Sequence, residues 1–211
     1  MKKTNYHTHT YRCGHANGNE EDMIQAAIDM GIEELGMCCH VPFPHYRKHL
    51  IRSLPSVRGV RSLLSLLKAI IKDGPNMRMP YRDMETHLEL LSQYQKSYED
   101  KIKIYKGFEA EGLSVYFDYY QKLLYEHKVD YLILGHHFHK HCISNDYFGK
   151  EKMTKKDIYL YCNDVEKALE TNLFSYLAHP DLFLIGYNQF DLDVQTVSRR
   201  ICQKAKDLNI P

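Results

Sequence analysis

Apolar and polar positions along this chain follow two periods that take turns. Short runs that alternate, or stay continuously apolar, fall at residues 3–7, 32–40, 101–108, 129–135 and 174–178, the pattern of strands. Between them, apolar positions three and four apart predict helices at 20–30, 60–71, 82–99, 116–127, 155–171 and 194–208. Strands alternating with helices predict an α/β fold with a parallel sheet or barrel. Asn19 reads as a helix cap, with Glu20, Glu21 and Asp22 suiting the positive end of the helix dipole.

Two departures from the alternation stand out. The stretch 41–80 holds Pro42, Pro44, Pro55 and Pro75 and is too long for a simple connection, so it reads as an insertion, a lid or substrate loop. At the other end, a polar step from helix into strand occurs at Met30-Gly31-Ile32 and again at His127-Lys128-Val129. Asp207-Leu208-Asn209-Ile210-Pro211 begins that step a third time and the chain stops. A closed barrel needs at least one further strand, so a C-terminally incomplete single domain over 1–211 is expected.

Composition narrows the field. At 211 residues and 44% hydrophobic, the chain can bury a core as one domain. Twenty-eight basic and 27 acidic residues leave a net charge of +1, which makes no electrostatic case for nucleic acid or a membrane surface as main partner. No apolar run approaches the roughly 20 residues of a spanning helix. Six cysteines without regular spacing, two of them adjacent (Cys38, Cys39), fit free thiols in a reducing cytosol and a cytoplasmic location.

The chemistry lies in how the strands end. In order they deliver His7 and His9, then His40, then Glu109, then His137, then His179 and Asp181, with His15 on the first loop. Alternation along a strand puts His7 and His9 on one face, close enough to share a metal. Each residue taken alone has an ordinary structural reading; five successive strand ends carrying such groups by chance is improbable. Imidazoles with one carboxylate and no thiolate suit Zn, Mn or Fe in a hydrolytic site. Among His136, His137, His139 and His141, alternation places His137 and His139 on one face and His136 on the other. His45, His49, His87 and His127 read as ordinary surface or helix residues, and Tyr116, Tyr119, Tyr120 and Tyr125 as packing.

These motifs resemble the polymerase-and-histidinol-phosphatase (PHP) family: His7-Thr8-His9, then His15, His40 in Cys39-His40-Val41-Pro42-Phe43, Glu109 in Gly107-Phe108-Glu109, His137 after a buried strand, and His179 in Ala178-His179-Pro180-Asp181. The insertion after His40 and the Gly-Phe-Glu-Ala-Glu and Ala-His-Pro-Asp strings are most similar to the family's histidinol-phosphate phosphatases. The resemblance implies a distorted (βα)7 barrel, here lacking its last βα element, with two or three divalent ions (Zn, Mn or Fe) at the strand ends. Its implied ligands are His7, His9, His15, His40, Glu109, His137 and His179, with Glu109 and His179 as catalytic residues. The family's final Asp-x-His motif does not occur after His179; Asp181 is expected to cap the following turn or to support His179.

The implied substrate is a small phosphate monoester, L-histidinol phosphate, hydrolysed to L-histidinol in histidine biosynthesis. Glu111 would meet the cationic end of such a substrate, and Arg47 and Arg52 its phosphate. Two alternatives stay open: a phosphodiesterase or nuclease on the same scaffold, and a truncated chain of weak or no activity. Oligomeric state is left open.

Overall fold

Five strands, β1 (Thr4–Thr8), β2 (Glu34–His40), β3 (Lys103–Ala110), β4 (Tyr131–Leu134) and β5 (Tyr176–Leu177), pair in sequence order into one parallel sheet. This is the expected α/β architecture, a curled parallel sheet forming part of a barrel. The computed structural model describes residues 2–53, 59–72, 77–139 and 147–211. The side chains of His49 and Arg52 lie outside that description, as do His141 and Cys142. Helix α1 (Glu20–Asp29) follows β1, α2 (Tyr46–Ser53), α3 (Val60–Lys72) and α4 (Met84–Ser97) follow β2, and α5 (Phe117–Tyr125), α6 (Lys155–Leu169) and α7 (Leu192–Asp207) follow β3, β4 and β5.

Local sequence explains where the helices start. Asn19 and Asp22 form a reciprocal capping box on α1, as do Thr154 and Asp157 on α6. Asp191 accepts from the Asp193 and Val194 amides at the start of α7. Helix α2 was not foreseen, because its few apolar positions sit among prolines and basic residues. Observed strand ends differ from the expected ones by a few residues; β3 runs on to Ala110, so Glu109 sits within the ladder and its carbonyl accepts from the Val41 amide at 2.8 Å.

The sheet is covered as a parallel sheet must be. Every residue of β2 is buried. Leu35, Met37 and Ile104 pack against Ile24 of α1 and Leu91 of α4. Phe108, Ala110, Leu132 and Leu134 join α5, α6 and α7 in the main core. On the concave side, Tyr131 reaches across Gly107 and Gly36 to donate to the Tyr6 carbonyl at 2.6 Å. A Cβ at Gly36 would lie 2.0 Å from the Tyr131 hydroxyl, so the missing side chains of Gly36 and Gly107 are the space this brace occupies. Beyond β5, the Leu177 amide donates to the Pro211 carbonyl at 2.9 Å.

Tyr116 and Tyr120 are core residues, as expected, whereas Tyr125 is exposed. His87 is a correction. It is fully buried, its Nδ1 lies 2.9 Å from Glu20, and Glu20 also pairs with Arg12. Burial opposes ionisation of Glu20, but the hydrogen bonds from His87 and Arg12 outweigh it and hold the carboxyl at about 2, against an ordinary value of 4.5.

That depression fixes a pH dependence. A carboxyl with a folded pKa below its unfolded one stabilises fully above the unfolded value and loses that contribution as pH falls through the folded value. Glu20 therefore contributes at most about 3 kcal/mol, present above pH 4.5 and lost between about 4.5 and 2. Urea denaturation across that window should show Glu20→Gln less stable than the parent at pH 6, the gap closing towards pH 2.

Candidate metal centre

Glu109 is 1% exposed, at the C-terminal end of the central strand of the sheet. Its Oε2 stands 3.0 Å from His7 Nε2, 3.2 Å from His9 Nε2 and 3.4 Å from His40 Nε2; its Oε1 stands 2.8 Å from His179 Nε2 and 3.6 Å from His137 Nε2. His15 joins from the first loop, its ring 4.4 Å from that of His40 and 5.1 Å from that of His9. All seven candidate residues thus meet at one place. β1 shifts register on β2 between Asn5 and Thr8, an irregularity of the kind that re-aims side chains at a strand end. His179 follows β5 at a φ of 31°, a left-handed conformation unusual for a residue with a side chain, and concentrated at functional sites.

Space for the carboxylate comes from the neighbouring strand. A Cβ on Gly135 would lie 2.0 Å from Glu109 Oε1, so only glycine leaves room there. Buried carboxyls ordinarily resist ionisation; here hydrogen bonds from His179, His7 and His9 hold Glu109 well below the usual carboxylate range. Burial, with the Arg78 guanidinium nearby, pushes His40 well below the usual imidazole value.

The donor set fits divalent cations. Five Nε2 atoms converge on one carboxylate, and His9 Nε2 lies only 3.1 Å from His7 Nε2. Imidazoles brought nitrogen to nitrogen around one carboxylate cannot all satisfy one another through protons. Among the described residues, five groups of three have donor atoms within 4.8 Å of one another; three draw only on the seven candidates (His9, His15 and His40; His7, His9 and Glu109; Glu109, His137 and His179), and a fourth joins His40 and His137 to Glu111. Nitrogen and carboxylate oxygen suit Zn, Mn or Fe.

Behind these groups stands a second layer. Glu111 is fully buried, accepts from the amides of His137 and Phe138, faces His137 Nδ1 at 3.0 Å, and pairs with Arg78. Burial would lower the His137 pKa, but Glu111 outweighs it and raises it. Glu111 is thus packed behind His137 with none of its surface exposed. Arg78, which sequence reading missed, is also buried; it donates to the Val41 carbonyl at 3.0 Å and lies 4.6 Å from the Phe43 ring centre. Arg47 donates to the Ile70 and Ile71 carbonyls near the end of α3. The Arg52 side chain lies outside the described residues. Asp181 is exposed and makes no side-chain cap.

The alternation expected of His136, His137 and His139 fails because β4 ends at Leu134. His137 turns to Glu109, while His139 meets Asp164 at 2.7 Å and the fully buried His136 accepts from the Gly112 amide at 3.1 Å. On the opposite side, Cys13 Sγ lies 3.4 Å from His9 Nδ1. A hydrogen bond from Cys39 and the His9 ring hold the Cys13 thiol well below its ordinary value despite burial. Cys13 and Glu109 in turn raise His9 to about 9 against its own burial.

A family model for the PHP domain matches residues 5–210. The chain belongs to the PHP family. No curated protein shows a significant sequence match to it. Among solved structures, this PHP chain is similar to a candidate histidinol phosphatase, HisK, from Listeria monocytogenes, with 19% identity and a TM-score of 0.71 over 99% of this chain and 80% of that one. It is also similar to histidinol phosphate phosphatase (HisK) from Lactococcus lactis subsp. lactis, solved with Zn, L-histidinol and phosphate, with 14% identity and a TM-score of 0.63 over 99% and 71% of the two chains. At these identities the likeness is one of fold. Among the described residues, no helix is long and apolar enough to cross a membrane.

Gly135→Ala tests how the centre is packed. The added methyl must displace the Glu109 carboxylate, and a cost of about 1–3 kcal/mol is expected. Urea denaturation of the metal-free protein measures it; an unchanged midpoint would mean that Glu109 has another place to go.

Proposed function

We propose that this PHP chain is a metal-dependent phosphatase whose substrate is L-histidinol phosphate. The observation that carries the reading is the buried Glu109 with five imidazole Nε2 atoms within 3.6 Å of its oxygens. His7, His9, His15, His40, Glu109, His137 and His179 would hold two or three divalent cations, with Glu109 shared between positions. When bound, such cations supply an activated water and charge stabilisation for a phosphoryl group.

The chain's own groups then have distinct tasks. Glu109 holds the imidazoles together and balances their charge. Glu111 and Arg78 fix the ring of His137, the carboxylate–histidine support common behind metal ligands. The His179 side chain is 33% exposed, more open than the other four imidazoles around Glu109, so it is the one suited to meet a substrate and its leaving oxygen. The insertion at 41–80 starts beside His40 and is anchored by Phe43, stacked 4.2 Å from Tyr116, and by Arg78. It carries eight basic residues against one acidic, which suits an anionic substrate. The same charge is what favours the second reading, a phosphodiester substrate.

Phosphate release from L-histidinol phosphate with Mn(II) or Zn(II) tests this. Turnover is expected from the 211-residue chain, falling by about 10²-fold or more in His9→Ala and Glu109→Gln. Glu111→Gln should keep the fold and lose about 10–100-fold in metal affinity or activity. Hydrolysis of bis-p-nitrophenyl phosphate without phosphate release from L-histidinol phosphate would replace the monoesterase reading with the phosphodiesterase one.

A further inference from the structure

The His9 ring has two nitrogens, and they face different chemistry. Its Nε2 is directed at His7 and Glu109, within the imidazole–carboxylate cluster. Its Nδ1 is directed away, to Cys13 Sγ at 3.4 Å. Cys13 closes the helical turn Tyr11–Cys13, and Cys39 lies beside His40 on β2; each is 1% exposed. Donor atoms of His9, Cys13 and Cys39 all lie within 4.8 Å of one another. Thr10, fully buried, contributes two oxygens: its carbonyl is 3.4 Å from Cys13 Sγ and its hydroxyl 3.3 Å from Cys39 Sγ.

The 3.4 Å between Cys13 Sγ and His9 Nδ1 is close to the ligand separation of a tetrahedral thiolate site, and the other donor pairs lie within 4.8 Å. With Zn–S near 2.3 Å and Zn–N near 2.0 Å, two ligands on one zinc stand about 3.5 Å apart for sulfur and nitrogen and about 3.8 Å for two sulfurs. We propose that Cys13 Sγ, Cys39 Sγ and Nδ1 of His9 form a separate metal position for a thiophilic cation such as Zn(II) or Cd(II), joined to the Glu109 cluster through the His9 ring. Soft sulfur donors select such ions over the harder Mn(II) that nitrogen and carboxylate accept. The Thr10 carbonyl, 3.4 Å from Cys13 Sγ, would be the fourth donor. Binding at both sulfurs, with cations on both nitrogens of His9, releases three protons in all from Cys13, Cys39 and the His9 ring, so the bridge is an imidazolate. The position goes beyond the phosphatase reading: it needs no substrate and shares with that centre only the His9 ring.

Co(II) titration of the 211-residue chain reads the site directly, because a sulfur-to-cobalt charge-transfer band in the near ultraviolet arises only when thiolate binds the ion. The band is expected to saturate, to persist in Glu109→Gln and His179→Ala, and to vanish in Cys13→Ser and Cys39→Ser. X-ray absorption of the Zn-loaded parent protein gives the same answer without any variant, through sulfur scattering at about 2.3 Å. A first shell of nitrogen and oxygen alone, or a band unchanged in the double serine variant, overturns the proposal and leaves the two thiols as hydrogen-bond partners of Thr10 and His9. Thiolate ligation in a chain that releases no phosphate from L-histidinol phosphate would instead sink the phosphatase reading and leave this one standing.

Discussion

A carboxylate buried at the end of the central strand is the constraint to which much of this structure answers. Removing Glu109 from water is costly unless its charge is met, and it is met by imidazoles from four other chain segments. The demand reaches outward. Gly135 has to be glycine for the carboxylate to fit, and β3 has to run to Ala110 for it to stand level with His40 on β2. His137 needs its own support from Glu111, and Glu111, fully buried in turn, needs Arg78. Each buried charge therefore recruits the next, and the last of these, Arg78, comes from the insertion at 41–80. The insertion is bound into the centre's electrostatics and is more than a cover laid over it.

Layers beneath the centre serve the same geometry by different means. Tyr131 crosses two strands to reach a third through the volume that Gly36 and Gly107 leave, so one aromatic side chain and two missing ones brace β4 to β1. Helices α1 and α4 are tied at the outer side by the Arg12–Glu20–His87 cluster, which joins the first loop, carrying His15, to the helix that precedes β3.

Much of this was legible in the sequence, because the fold writes its site at regular intervals: an apolar run, then a histidine or glutamate. Period-two and period-3.6 patterns placed the strands, and the capping residues at Asn19 left a local signature. What was not legible depends on contacts between distant segments. Arg78 lies in a basic stretch where nothing local separates it from the solvated Arg82, and only its burial against Glu111 and Phe43 does so. The faces of His136 and His139 are not legible from alternation because the strand stops at Leu134. His87 did leave a signal: Met84, His87, Leu88 and Leu91 share one helical face, and all four are buried. The two faces of His9 were invisible for another reason, since a thiol four residues away becomes a neighbour only through the turn at Tyr11–Cys13.

The spacing of the donors along the chain also determines how the molecule comes apart. His7 and Glu109 are 102 residues apart and Glu109 and His179 are 70, so no contiguous piece of the chain holds the set. The two outer strands each deliver histidines, and β5 is only two residues long. Outer strands of a sheet are where partial opening begins at least cost. A molecule that frays at β1 or β5 can keep its helices and its central three strands while its donor set is already broken. Far-ultraviolet dichroism would then register a nearly native protein in which the centre no longer exists.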